Sequence, residues 1–330
     1  MNEGEIRLNQ TTQEWVIYAP LRRFRPEDFQ AQTNIEATVI DNNHNCPFCA
    51  VSEEIILEMH RKSSDSWQTR VVLNKYPALI PLGKPKRKTE GMYLTMPGYG
   101  SHEVIIEHPQ HDRHLALMDL EEVETTIETY HQRYLALMAD ANNLLVIIFR
   151  NYGKKAGASL KHPHSQIIAT SVVPQRRRWQ EEAAQRYFDR LGECVYCDII
   201  KHELETCSGR RIVGENETFI AFVPYAAEVP CEVWIIPKLH QADFGSITPK
   251  EKKDFASLLK DILSRMYYKL NNPDYNYVIN TNARYKAEEP QVHWYCQILP
   301  RLTTTAGFEL ATGMSINPSL PEIDADFLNS

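Results

Sequence analysis

Apolar residues recur along this chain in two rhythms. At 120–138, LEEVETTIETYHQRYLALM spaces Leu120, Val123, Ile127, Tyr130, Tyr134 and Met138 by three to four residues, which predicts an amphipathic helix. KEKKDFASLLKDILSRMYYKL (250–270) does the same through Phe255, Leu259, Ile262, Met266 and Leu270. A third helix is predicted from RRWQEEAAQRYFDRL, with Trp179, Ala183, Tyr187 and Leu191 four apart. The other rhythm is the short apolar run. SHEVIIEHP (101–109), LLVIIFRN (144–151), SQIIATSVV (165–173), EVWIIPKLHQADF (232–244, running to His240), YNYVINTN (275–282) and VHWYCQIL (292–299) all read as strands.

These elements come in the same order twice. Each half offers a CxxC, a strand, a lone histidine, a helix, a strand ending in asparagine, a loop, and then His-x-(His/Tyr)-x-Gln. The intervals agree: His111 to His162 is 51 residues and His240 to His293 is 53, while Asn151 to His162 and Asn282 to His293 are both 11. Chance matches of short motifs would not keep the intervening helix and strand in register, so the chain is an internal duplication. The predicted fold is α+β: two similar halves, 1–175 and 176–330, each an antiparallel sheet with covering helices.

Charge narrows the function class. With 36 basic and 43 acidic residues the net charge is −7, which argues against a general nucleic-acid or membrane-surface binder. The one basic run, Arg176 to Arg178, is followed by QEE and reads as a solvated helix start. No apolar run approaches the roughly 20 residues of a membrane span, and the N-terminus lacks a signal-like apolar region. The reading is cytoplasmic.

Seven cysteines are an odd number for a disulfide scaffold, but four form CPFC (Cys46, Cys49) and CVYC (Cys194, Cys197). One such pair alone also fits a redox dithiol. Two copies, each followed by matched histidines, point instead to two Cys2His2 zinc sets: Cys46, Cys49, His111 and His162, then Cys194, Cys197, His240 and His293. Four protein ligands close the shell, so these would be structural ions. His108 and His114 are near rivals to His111.

With His162 assigned to metal, the second histidine of HPHSQ is left over. Alternate residues of an extended segment share a face, so His162, His164 and Gln166 line one side. His164 then becomes a nucleophile candidate anchored by the metal beside it. The preceding NYGKKAGAS (151–159) is small-residue-rich, with Lys154, Lys155 and Lys161 nearby, and suits an anion. The second copy has Tyr295 in place of His164, so one active centre per chain is expected.

These motifs resemble the galactose-1-phosphate uridylyltransferase family of the histidine-triad superfamily, over nearly the whole chain. EVWIIPKLH, YNYVINT, VHWYCQILPRL and the paired CxxC sets are most similar to its ADP-glucose phosphorylase-like branch. The resemblance implies two histidine-triad-like halves and transfer of a nucleoside monophosphate between a nucleotide sugar and a hexose 1-phosphate or phosphate. It makes His164 the covalently nucleotidylated residue and Gln166 the donor to the transferred phosphoryl group. Asn151, Gly157 and Ser159 fall on phosphate-contacting positions, Arg22 and Arg25 on diphosphate-contacting arginines, and Asn74 on a nucleoside-site asparagine. Galactose metabolism and a homodimer are further family traits. Two departures bear on the nucleotide: Lys75 stands where uridylyltransferases have an acidic residue, and His293-Trp294-Tyr295 replaces a second His-x-His. Adenylyl transfer of the ADP-glucose phosphorylase type is therefore the alternative to uridylyl transfer. Two other classes fit parts of the pattern: a hydrolase using water as acceptor, and a zinc-stabilised nucleotide-binding module without catalysis. The latter has no call to keep both His164 and Gln166.

Overall fold

The computed structural model describes residues 4–22, 46–49, 54–61, 63, 66–206 and 209–330. Fifteen strands are present among them. In the first half these are β1 (Glu5–Leu8), β2 (Trp15–Tyr18), β3 (Ile55–His60), β4 (Trp67–Leu73), β5 (Lys88–Glu90), β6 (Tyr93–Thr95), β7 (Gly100–Ile106), β8 (Leu145–Tyr152) and β9 (His164–Thr170). The second half adds β10 (Ile212–Glu215), β11 (Phe219–Phe222), β12 (Val233–Pro237), β13 (Tyr275–Asn280), β14 (Tyr295–Pro300) and β15 (Ser315–Asn317).

Ten of them form one sheet in the order β3-β4-β7-β9-β8-β13-β14-β12-β11-β10, every neighbouring pair antiparallel. From either edge inward the strands run first, second, third, fifth, fourth of their half. The duplication read from the sequence is thus a duplication of topology. The halves join where β8 pairs with β13, with Ile148 opposite Ile279.

Helix α1 (Leu120–Met138) precedes β8, and Pro249–Lys269 occupies the equivalent place before β13. Each starts on a capping box. The Asp119 side chain accepts from the Glu122 N–H and Glu122 reaches back, as do Thr248 and Glu251 with Pro249 at the first turn. Such caps are worth about 1 kcal/mol each. Both helices lie on the same face of the sheet. Val123, Ile127, Tyr130, Tyr134 and Leu137 share a continuous core with Phe255, Leu259, Ile262 and Met266. Lys252 to Glu128 ties the helices together. Leu120, predicted to be buried, is exposed at the first helical position, and Leu137 rather than Met138 completes the stripe.

The opposite face divides the molecule. Over the second half, α2 (Gln175–Leu191) and α3 (Val195–Lys201) cover it, with Ala184, Val195, Tyr196 and Ile200 packed on Ile220, Phe222, Trp234, Ile236 and Tyr295. Over the first half, only Val72, Val104 and Ile106 cluster there, with Phe48 and Trp67, and no described helix covers them. Within α2 the buried positions are Glu181, Ala183 and Ala184, while Trp179 and Leu191 are exposed. A strict spacing of four drifts by about 40° per step on a 3.6-residue helix, so the four predicted residues do not share one face. Three further helices complete the order, numbered α4 (Pro249–Lys269, above), α5 (Gly307–Thr312) and α6 (Pro321–Asn329). A small sheet pairs β1 with β2 and β15 with β2, docked through the Tyr18 hydroxyl to the Ala227 carbonyl. No described helix is long and apolar enough to cross a membrane.

Candidate active site

Both predicted metal sets are assembled. In each, one donor atom from every residue lies within 4.8 Å of all the others. In the first, Cys49 Sγ is 3.5 Å from His111 Nδ1 and 3.4 Å from His162 Nδ1, and Cys46 Sγ is 3.7 Å from His162 Nδ1. In the second, Cys197 Sγ is 3.5 Å from His240 Nδ1 and 3.7 Å from His293 Nδ1. Bonds of about 2.3 Å to sulfur and 2.0–2.1 Å to nitrogen at a tetrahedral centre separate the donors by roughly 3.5 Å, so the residues fit an ion. His162 Nε2 donates to the His108 carbonyl at 2.8 Å, which leaves the Nδ1 lone pair facing the thiols. Burial pushes the His162 pKa down to about 4, keeping the ring a neutral ligand.

The rivals have other work. His108 Nδ1 accepts from the Gln110 N–H and Nε2 meets Glu122, while half-buried His114 packs edge-on against the Tyr152 ring. The metal histidines stand outside the ladders: β12 ends at Pro237, before His240, and β14 begins after His293.

His164 is the first residue of β9 and 8% exposed. Its Nδ1 lies 2.7 Å from the His162 carbonyl oxygen, which can only accept, so Nδ1 carries the proton and Nε2 the lone pair. The residue whose ring could hold a metal therefore also orients His164 through its backbone carbonyl. Burial lowers the His164 pKa and the nearby Arg150 charge lowers it further, so the ring stays neutral. Arg150 sits on the helix-side face, paired with Glu107, which also accepts from Tyr130 and Ser165. Phe48 packs edge-on against His164, 5.3 Å between centroids.

Gln166 points to the same face as His164, and Phe149 is its partner on β8. Continuing that register sets Asn151 level with His164. Asn151 Oδ1 accepts from Asn276 of the second half, which also donates to the Ala156 carbonyl and accepts from Arg301. The loop after Asn151 differs from the expected anion nest. Its N–H groups at Ala156, Gly157 and Ala158 bond to Gly153 and Lys154 carbonyls, and the Lys155 N–H goes to Asp274. The left-handed Gly157 (φ 87°) closes that internal turn. The exposed positions of the loop are Lys154, Lys155, Gly157 and Ser159, and Asn151 is half-buried at its start.

Asn74 follows β4 and reaches the site through His102, a residue the sequence reading passed over. Its only sequence signal is alternation in HEVIIE, which places His102 on the face of Val104 and Ile106. Arg22 ends an exposed turn after β2 and makes no ion pair among the described residues. Arg25 lies outside the described residues. Arg176 to Arg178 are not merely solvated: Arg176 pairs with Glu14 and Glu228, and Arg177 bonds to Asn280.

Comparison with known proteins places the chain in a family. The family model for the N-terminal domain of galactose-1-phosphate uridyl transferase matches residues 2–174, and that for its C-terminal domain matches 180–311. ADP-glucose phosphorylase of Arabidopsis thaliana is 34% identical over 326 residues, 96% of this chain and 90% of its own length. Galactose-1-phosphate uridylyltransferase of Thermotoga maritima is 29% identical over 328 residues, covering 96% and 95%. A crystal structure of the Arabidopsis thaliana ADP-glucose phosphorylase with bound ADP-glucose matches with a TM-score of 0.80 at 29% identity, over 100% of this chain and 99% of that one. A uridylyltransferase structure matches at 0.76 and 27% identity, over 98% and 97%. These relatives define the class, a nucleotidyltransferase. The chain belongs to the galactose-1-phosphate uridylyltransferase family.

Proposed function

We propose that this enzyme moves a nucleoside monophosphate from a nucleotide sugar to phosphate or a sugar phosphate by way of His164. The Nε2 lone pair attacks the α-phosphorus, a P–N bond forms, and the P–O bond to the departing hexose 1-phosphate breaks. The second acceptor then attacks the same phosphorus and breaks the P–N bond, so one site serves both exchanges in turn. Gln166 donates to the charge that builds on the phosphoryl oxygens, with Asn151 and Ser159 on its flank. Arg22, Arg25 and Gly157 complete the diphosphate contacts by resemblance. The observation that carries this reading is the proton on His164 Nδ1, which leaves Nε2 unprotonated in a buried ring.

Both Cys2His2 sets are read as zinc sites, because two thiolates and two imidazoles at tetrahedral separations suit that ion and leave no open position. Zinc would supply cross-linking and nothing to the reaction directly.

The nucleotide is read as adenylyl, with phosphate as acceptor. The support is the higher identity to ADP-glucose phosphorylase and Lys75 at a position where the uridylyl branch is acidic. Uridylyl exchange is the second reading, carried by the family models. Phosphate-dependent release of ADP from ADP-glucose, compared with exchange of UDP-glucose and galactose 1-phosphate, decides it. The adenylyl reading expects at least about tenfold higher kcat/KM for ADP-glucose. A preference for the uridylyl pair overturns it.

A further inference from the structure

We infer that His102 is a positioning residue that fixes which end of the Gln166 carboxamide faces the transferred phosphoryl group, a role that rests on the reading of Gln166 as its donor. His102 lies on β7, 8% exposed, one ladder step along from Val104, which pairs with Gln166. Three groups converge on its ring. The Ala78 N–H meets Nδ1 at 3.1 Å, Gln166 Oε1 lies 2.7 Å from Nε2, and Asn74 Nδ2 is 3.1 Å from Nε2.

The protons follow from these partners. A backbone N–H only donates, so Nδ1 is the bare nitrogen and Nε2 carries the hydrogen. That hydrogen goes to Gln166 Oε1, an acceptor, and the Gln166 NH2 group is turned away from the ring. Asn74 Oδ1 accepts from the Tyr76 N–H at 2.8 Å, which fixes its amide as well. Its NH2 lies 3.1 Å from a ring nitrogen with no lone pair to offer, so the ring does not accept from it and it can donate to a ligand instead. Gln166, set by the imidazole, and Asn74, set by the Tyr76 N–H, thus both present their NH2 groups as donors.

The second half carries the control. Trp234 pairs with Gln297 as Val104 pairs with Gln166, so Glu232 occupies the place of His102. There Gln297 Nε2 donates inward to Glu232 Oε1 at 2.8 Å, and its Oε1 accepts from Asn280 at 3.3 Å. A donor at this position turns the glutamine NH2 outward, towards phosphate. An acceptor turns it inward, and the half without a nucleophile has the acceptor.

Four variants test this by steady-state turnover with ADP-glucose and UDP-glucose as donors, alongside melting temperature and metal content. His102→Ala releases the amide and is expected to lower kcat about 10- to 100-fold with a smaller change in KM. His102→Glu imposes the second-half polarity and lowers kcat further. His102→Gln places an N–H donor where Nε2 stood and recovers to within about fivefold of wild type, whereas His102→Asn, which keeps only an acceptor for Ala78, stays with alanine. Recovery by asparagine but not glutamine, or a glutamate variant as active as the glutamine one, overturns the inference. Should the glutamate variant fail to fold, the ranking of glutamine, asparagine and alanine still decides it. Failure of the nucleophile reading shows separately, as wild-type enzyme that turns over without label on His164.

Discussion

The two halves of this molecule have the same ladder and the same Cys2His2 frame, yet opposite contents on one face of the sheet. In the first half that face holds His164, Gln166 and Asn151 with no described helix above them. In the second, Tyr295 lies against Trp234 and Tyr196, with ring centroids 4.4 and 5.6 Å away, under α2 and α3. Gln297, Glu232, Asn280 and Arg177 bond to one another there. Beneath the sheet the contrast reverses. Arg150, Glu107, Tyr130 and Ser165 form a buried polar network under the first-half site, while the partner of Ser165 in the duplication is the buried thiol Cys296. The Cys2His2 frame is common to both halves, and the open face of the sheet is where they differ.

That division can be broken at several points. His164→Ala is expected to cut turnover at least about 10³-fold with the melting temperature retained, whereas Tyr295→Phe changes it less than about twofold. Cys46→Ala is expected to remove one ion per chain and to lower turnover at least about tenfold, because the His162 ring would hold that ion while its carbonyl orients His164. Cys194→Ala also removes one ion, but lowers stability and leaves kcat within about threefold; elemental analysis beside kinetics separates the two. Gln166→Ala lowers kcat by about 10²-fold. Gln297→Ala leaves kcat alone and destabilises by about 1–3 kcal/mol, read by denaturant unfolding, because buried Glu232 keeps only its bonds from Trp234 and the Glu228 N–H.

The last effect is a pH dependence of stability. Burial, with Glu228 beside it, raises the Glu232 pKa from 4.5 to about 7. The folded state then binds more protons than the unfolded one between those values, so this group's contribution falls as pH rises from about 4.5 to 7. Glu232→Gln removes the dependence. Its stability relative to wild type should rise across that window by on the order of 2–3 kcal/mol. A flat difference curve would place Glu232 in a more polar setting than its burial implies.

Much of this was legible from spacing. Residues that could share one metal must return to one point, so the CxxC spacing is the same in both copies and His111 to His162 (51 residues) nearly matches His240 to His293 (53), although the stretch from Cys49 to His111 is 62 residues and that from Cys197 to His240 is 43. That His164 and Gln166 share a face of β9 followed from alternation along a strand. Other features depend on contacts that spacing does not carry. His102 matters because β7 lies beside β9 and Ala78 folds back onto its ring. The loop 153–158 spends its amides on itself and Asp274, although its composition suits an anion nest. Trp179 and Leu191 misled because a spacing of four does not close on a helix turn, and α2 earns its place by covering Tyr295.

A direct measurement is available. The enzyme is incubated with α-phosphate-labelled ADP-glucose or UDP-glucose without acceptor, quenched in alkali to preserve a P–N bond, and mapped by peptide mass spectrometry. One nucleotidyl group per chain on His164, discharged by added phosphate or sugar phosphate, is the expected result. Label on any residue of the second half, or full exchange with His164 unmodified, would contradict the division between the halves.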